Sequence, residues 1–341
     1  MLWGAAMEPP ADHPPIPAPK IGVLLVNLGT PNAPEPGSVR LYLKEFLSDP
    51  RVVEIPQLVW QPILRALILT TRPKRSAHAY RQVWTDEGSP LAAITARQAR
   101  ALAGSWGESV IVDHAMRYGR PAISEKIDAL KARGCERILI APLYPQYCAA
   151  TTATANDAAF AHLSRLRWQP AVRTLPPYYD DPAYIAALAA HLERALGALD
   201  FEPQAIVASF HGMPERTLAL GDPYHCHCQK TARLLSEAIG RDLIVTFQSR
   251  FGRAKWLEPA TDATFATFAK RGVTRLAVIA PGFSADCLET LEELEIRGRA
   301  TFVNFGGTHF ARIPCLNDSP EGLAMLRALV GRELEGWLPP S

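Results

Sequence analysis

Short, nearly continuous apolar runs recur along the chain, and between them apolar residues return every three or four positions. The first pattern marks strands buried on both faces of a parallel sheet, and the second marks helices packed against it. Residues 21–28, I-G-V-L-L-V-N-L, open the series and stop at Gly29-Thr30-Pro31. Helical spacing follows over 38–47 and 92–103, then strands over 109–114 and 137–143 with a helix over 122–133 between them. The second half runs through the same programme: strand 204–210, helix 223–239 opened by Asp222-Pro223, strand 243–247, helix 262–271 and strand 275–279. This alternation predicts βαβ units and an α/β fold.

The halves also share short matches. N-L-G-T-P from Asn27 corresponds to F-H-G-M-P from Phe210, R-Y-G-R from Arg117 to R-F-G-R from Arg250, A-R-G-C-E-R-I from Ala132 to K-R-G-V-T-R-L from Lys270, and A-P-L-Y-P-Q-Y-C from Ala141 to A-P-G-F-S-A-D-C from Ala280. Matches that keep their order predict two similar, doubly wound Rossmann-like lobes with parallel sheets and a cleft between them, over 21–180 and 181–341. All of them fall at strand exits, where open α/β sheets bind ligands. Leu28 then stands where His211 stands in the other half, and Tyr147 where Asp286 stands. One wall of the cleft is expected to be apolar and aromatic, the other polar and acidic, which suits a flat, greasy ligand attacked from one side.

Composition narrows the class. A chain of 341 residues suits two domains, and 48% hydrophobic with 21% charged residues is globular. A net charge of +2 without a basic run gives no nucleic-acid footprint. Six sparse cysteines suit reduced thiols and a cytoplasmic protein better than a disulfide framework. Residues 1–20, rich in proline and without a basic start, read as a flexible leader rather than a secretory signal. The apolar stretch 55–71, interrupted by Pro56, Pro62 and Arg65, reads as internal packing or the lip of a pocket. Peripheral contact with the inner face of a membrane is the secondary reading of that stretch. Gly29 and Gly119 do not form a nucleotide-binding glycine loop.

Candidate chemistry gathers in the second half. His211 leaves an apolar run at a Gly/Pro turn, which places an imidazole at a sheet edge. From Asp286, a helical reading puts Asp286, Glu289 and Glu293 on one face. A solvated surface is the usual meaning of such a row. Here it opens in a first helical turn at a strand exit opposite His211. A neutral imidazole with oxygen ligands suits a divalent metal such as Fe²⁺ in passage, and the same groups take up protons near neutral pH. The run H-C-H-C from His225 to Cys228 invites a metal reading too, but neighbours on a helix point apart, so inert thiols are the default there.

With V-N-L-G-T-P at Val26, G-S-P-L at Gly88, M-R-Y-G at Met116, P-L-Y-P-Q-Y at Pro142, S-F-H-G-M-P at Ser209, G-D-P-Y at Gly221, K-W-L-E-P at Lys255 and P-G-F-S-A-D-C-L-E-T-L-E-E at Pro281, the chain resembles the ferrochelatase family from about 21 to 329. The resemblance implies a lyase of haem biosynthesis that inserts Fe²⁺ into protoporphyrin IX, with His211 and Glu289 as the catalytic, metal-contacting pair. It leaves Asp286 and Glu293 as a path for iron or protons. Leu28, Tyr118, Trp256 and Phe283 would grip the macrocycle, with Ser89 of the G-S-P-L motif also in the substrate site, and Arg117 would meet a propionate or brace the site. A coproporphyrin III chelatase, a cobalt or nickel chelatase and a non-catalytic porphyrin carrier are the alternatives. Animal members carry a [2Fe-2S] cluster. This chain has Ala149 at the first cluster-ligand place and no cysteine after Cys315, so neither a cluster nor another tightly bound cofactor is expected, and Fe²⁺ enters as substrate. Where animal members have a histidine, this chain has Cys287. The oligomeric state has no signal in the sequence.

Overall fold

In the computed structural model, which describes residues 19–252 and 254–338, the apolar runs form two parallel sheets of four strands each. The first holds β1 (Lys20–Thr30), β2 (Val110–Gly119), β3 (Cys135–Pro142) and β4 (Ala171–Thr174) in the order β2-β1-β3-β4. The second holds β5 (Ala205–His211), β6 (Leu243–Gln248), β7 (Arg275–Ile279) and β8 (His309–Arg312) in the equivalent order β6-β5-β7-β8. The short edge strands β4 and β8 fall outside the runs read as strands above. The leader expected over 1–20 lies outside the described residues except for Pro19 and Lys20.

Period-two burial on both faces explains why β1 is apolar almost throughout. Ile21, Val23 and Leu25 enter one core, while Leu24 and Val26 enter another on the opposite face. The outer core of the first sheet is closed by α5 (Ile123–Ala132) and α6 (Thr154–Leu163), and that of the second by α10 (Thr261–Lys270) and α11 (Arg299–Asn304). Between the sheets a single core joins Val23 and Leu25 to Ala208 and Phe210. It is filled by α4 (Pro90–Leu102), α7 (Pro182–Gly197), α9 (Tyr224–Ile239) and α12 (Pro320–Leu334). Proline in the first turn and a capping carboxylate or hydroxyl start two of these helices: Asp181 accepts from the Ala183 amide, and Ser319 from that of Gly322. A boundary at 180/181 separates the strands of the two sheets, yet α12 packs back on α4 and β3 of the first lobe.

A third body forms the lip. After α1 (Pro36–Leu47), the stretch expected to pack internally or to form the lip of a pocket becomes α2 (Gln57–Ile63), a π-helical turn (Leu64–Ile68) and the start of α3 (Leu69–Val83). Leu64 and Leu69 turn into a core with Tyr42, Tyr80 and Tyr118. Leu58 is 93% exposed, and Val59, Ile63 and Leu67 also face outward. The lip is therefore apolar on both sides.

Candidate active site

The order β6-β5-β7-β8 reverses direction at β5, so the crevice of the second lobe opens at the carboxyl ends of β5 and β7. His211 is the last residue of β5, one place further along the strand than the apolar run suggested. Its Nδ1 lies 2.7 Å from the carbonyl oxygen of Gly212. A carbonyl only accepts, so Nδ1 carries the proton and Nε2 keeps its lone pair. Gly212 is confined: a Cβ there would lie 2.4 Å from the Gln248 carbonyl oxygen and 3.3 Å from the Trp256 ring.

Beyond β7 the acidic segment departs from the α-helix expected for it. Glu289–Gly298 is π-helical, and Asp286 precedes it in the connecting loop. Asp286 therefore does not share a helical face with Glu289 and Glu293. Its carboxylate is 2.8 Å from Arg312, 2.8 Å from Asn317 Nδ2 and 2.9 Å from Thr290 Oγ1, with only 7% of the residue exposed. A carboxylate satisfied on every side is a brace rather than a stepping stone for iron or protons. Glu293 is also engaged, accepting from the Ser249 amide at 2.8 Å and its hydroxyl at 2.6 Å. Glu289 differs from both. Among the described residues its carboxylate has no ion pair, and it stands within electrostatic range of Cys287, Tyr42, Tyr80 and Arg72. Burial, with Glu289 adding to it, pushes both tyrosine hydroxyls and the Cys287 thiol above their ordinary values.

Gln248 links the strand end that carries His211 to the backbone of Glu289. It pairs in register with His211 across β5 and β6, and its Nε2 donates to the Glu289 carbonyl at 2.9 Å. Neither this glutamine nor the Tyr42, Tyr80 and Arg72 wall stood out in the sequence. The tyrosines sit at helical spacing that reads as ordinary core, and Gln248 closes an apolar strand. Arg72 offered one signal, a cation directly after the apolar stretch of the lip. Burial lowers its pKa, its guanidinium carbon lies 5.4 Å from the Phe251 ring centroid, and among the described residues it has no carboxylate partner.

The residues expected to hold a macrocycle divide. Leu28 and Phe283 are half-buried beside the crevice, Leu28 on the lip core and Phe283 against Leu91, Ile94 and Cys287. Trp256 is buried, with the Phe251 ring centroid 5.0 Å away and the Phe251 carbonyl accepting its indole N–H at 3.0 Å. Tyr118 has no exposed surface, and its hydroxyl donates to Asp49 at 2.9 Å, so it presents no face to a ligand. Arg117 meets the same carboxylate at 2.5 Å and Thr154 at 3.0 Å, which makes it a brace. Ser89 is buried, accepts from Thr30 Oγ1 at 2.8 Å and stands at the N-cap of α4. A cavity of about 540 Å³ opens nearby, lined by Pro214, Glu215, Arg216, Leu218 and Lys255, and neither His211 nor Glu289 lines it.

The His225 to Cys228 run spreads around α9. His227 Nδ1 accepts from the Tyr147 amide at 3.2 Å while its ring stacks on Tyr179 at 3.5 Å; Cys228 is buried and Cys226 exposed. Among the described residues, no three His, Cys, Asp or Glu side chains stand close enough together to hold a metal ion.

Comparison with known proteins agrees with this fold. The family profile of ferrochelatase matches residues 20–334. The chain is 55% identical over 339 residues to the ferrochelatase of Rhizobium meliloti (strain 1021), covering 97% of this chain and 100% of the relative. It is 53% identical over 336 residues to the ferrochelatase of Agrobacterium fabrum, covering 96% and 98%. Among solved structures, SirB from Bacillus subtilis with Fe³⁺ superposes with a TM-score of 0.55 at 13% identity, over 94% of this chain and 98% of that one, a likeness of fold alone. The chain belongs to the ferrochelatase family.

Proposed function

We infer that the chain inserts Fe²⁺ into protoporphyrin IX, giving protohaem and two protons, with His211 and Glu289 at the insertion centre. Family membership supports the reaction, and the arrangement around Gln248 supports the residues. As iron replaces the two pyrrole N–H protons, four Fe–N bonds form and each proton must leave with a base. The Nε2 lone pair of His211, kept free by the bond from Nδ1–H to Gly212, is that base. Glu289, whose carboxylate has no ion pair among the described residues, meets the hydrated ion and takes the proton onward. Both groups are mixed N/O donors suited to a borderline metal held only in passage. Leu28, Phe283 and, once Phe251 moves, Trp256 contact the macrocycle faces, and the guanidinium of Arg72, without a carboxylate partner among the described residues, meets a propionate.

Outside the crevice, the exposed Leu58, Val59, Ile63 and Leu67 of the lip rest on the inner face of a membrane, with the rest of the protein in the cytoplasm. No helix among the described residues is long and apolar enough to cross a membrane. Co-flotation with anionic vesicles, lost on Leu58→Glu, tests this. The reaction is tested by anaerobic optical assay of Fe²⁺ insertion into protoporphyrin IX and coproporphyrin III side by side. Turnover of protoporphyrin without nucleotide, abolished by His211→Ala in a folded protein, is the expected result. Wild-type turnover in that variant overturns the assignment, and tight porphyrin binding without turnover in the parent protein points to a carrier.

A further inference from the structure

We propose that Gln248 is a positioning residue for metal insertion, its side-chain amide holding the first turn of the π-helix so that Glu289 keeps its place relative to the strand end that carries His211. The proposal rests on the reading of His211 and Glu289 as the insertion pair. Gln248 is 3% exposed and bonds in three directions. Its main-chain oxygen accepts from the Gly212 amide at 2.7 Å, its Oε1 from Ser209 Oγ at 2.8 Å, and its Nε2 donates to the Glu289 carbonyl at 2.9 Å. Ser209 is held in turn by Thr261 at 2.8 Å, which meets Thr246 at 2.8 Å. These hydroxyls are all buried, so the network has no water to exchange with and a single satisfied arrangement.

The amide cannot turn over. The Glu289 carbonyl only accepts, and a flipped amide would set one oxygen against another. Its neutrality matters as well. Each turnover releases two protons beside Glu289, and an amide keeps its donor at every pH whereas a carboxylate in the same place loses it. A π-helix is the rarer and weaker of the helical registers, so an outside bond at its first carbonyl helps to keep it from rewinding. A shift of about 1 Å in a reacting group costs on the order of a hundredfold in rate, and that is the scale this tether guards against.

The test compares the full-length protein with Gln248→Leu and Gln248→Glu. Both variants are expected to lose about 10- to 100-fold in kcat for Fe²⁺ insertion while KM for protoporphyrin stays within about twofold. Protonation restores a donor to the buried carboxyl of Gln248→Glu, so that variant recovers relative to wild type as pH falls, and Gln248→Leu does not. Hydrogen exchange over 288–298 is expected to quicken in Gln248→Leu while the β5 and β7 peptides keep their protection. Wild-type kcat in both variants, a rise in KM alone, the same pH profile in both, or unchanged exchange over 288–298 would each overturn the proposal. His211→Ala with full turnover sinks the insertion-pair reading instead, and the exchange measurement reports the tether without reference to it.

Discussion

Ser249 and Glu293 are joined twice: the amide of Ser249 donates to Oε1 at 2.8 Å and its hydroxyl to Oε2 at 2.6 Å. Ser249 holds a left-handed backbone, with φ of 63°, that a serine adopts only when its surroundings compel it. The carboxylate thus offsets about 1–3 kcal/mol of local strain and anchors the loop that carries Phe251 and Trp256. Glu293→Ala is expected to lower the unfolding midpoint and to quicken proteolysis within 249–256, with Glu293→Gln intermediate because it keeps one acceptor. Thermal unfolding and limited proteolysis read both.

Arg72 should act on substrate binding. Arg72→Leu is expected to raise KM for protoporphyrin by about 10- to 100-fold, the value of a charge-assisted hydrogen bond of roughly 1.5–3 kcal/mol, with kcat little changed. Arg72→Lys keeps the charge but loses the planar guanidinium that lies over the Phe251 ring at 5.4 Å, and should fall between. Steady-state kinetics in porphyrin concentration decide.

Asp286 should act on stability. Removing Asp286 takes away the shorter of the two ion pairs of largely buried Arg312 and leaves Glu295 at 3.4 Å, so Asp286→Ala is expected to destabilise the protein in denaturant unfolding by about 3 kcal/mol, the low end for a broken buried pair. Turnover per folded molecule should fall less than in Glu289→Gln. The opposite order would return Asp286 to the proton path.

Gly212 tolerates no side chain. With backbone 2.4 Å from the added Cβ, Gly212→Ala must displace either β6 or the turn that orients His211. A loss of more than about 2 kcal/mol is expected, together with activity, measured by urea unfolding and the insertion assay.

His227 gives the protein an acid-side weakness. Burial lowers its pKa below the ordinary value near 6.5, Asp180 and Asp222 oppose that shift, Lys230 adds to it, and Nδ1 must stay unprotonated to accept from Tyr147. The unfolded chain therefore binds a proton first as pH falls, so the contribution of His227 is complete above about 6.5 and is lost as pH drops through the lowered folded value. His227→Phe should keep much of the stacking on Tyr179 and flatten the stability profile below pH 6.5, measured by urea titration across pH.

Much of the architecture was legible because it is local. The continuous apolar runs of 21–28 and before His211 state which residues are buried whatever partner covers them. The paired motifs at Asn27 and Phe210 locate equivalent strand exits without coordinates. The acidic segment misled for the same reason. Leu288, Leu291 and Leu294 recur at a spacing an α-helix accepts, while the observed π register coincides with contacts from elsewhere: Leu288 against the lip core, Gln248 on the first carbonyl, Arg312 on Asp286. The family resemblance made Tyr118 a ligand contact and left Arg117 either a propionate contact or a brace. Asp49, far away in sequence, takes them both.

By itself the sequence determined the two-lobed α/β plan, the place of His211 at a sheet edge and the presence of an acidic segment after the neighbouring strand, since periodicity and turn chemistry act over a few neighbouring residues. Only the tertiary structure decided which of those carboxylates is without an ion pair among the described residues. Arg312 claims Asp286 and Ser249 claims both oxygens of Glu293, and a carboxylate is available for chemistry only where no distant partner already holds its oxygens.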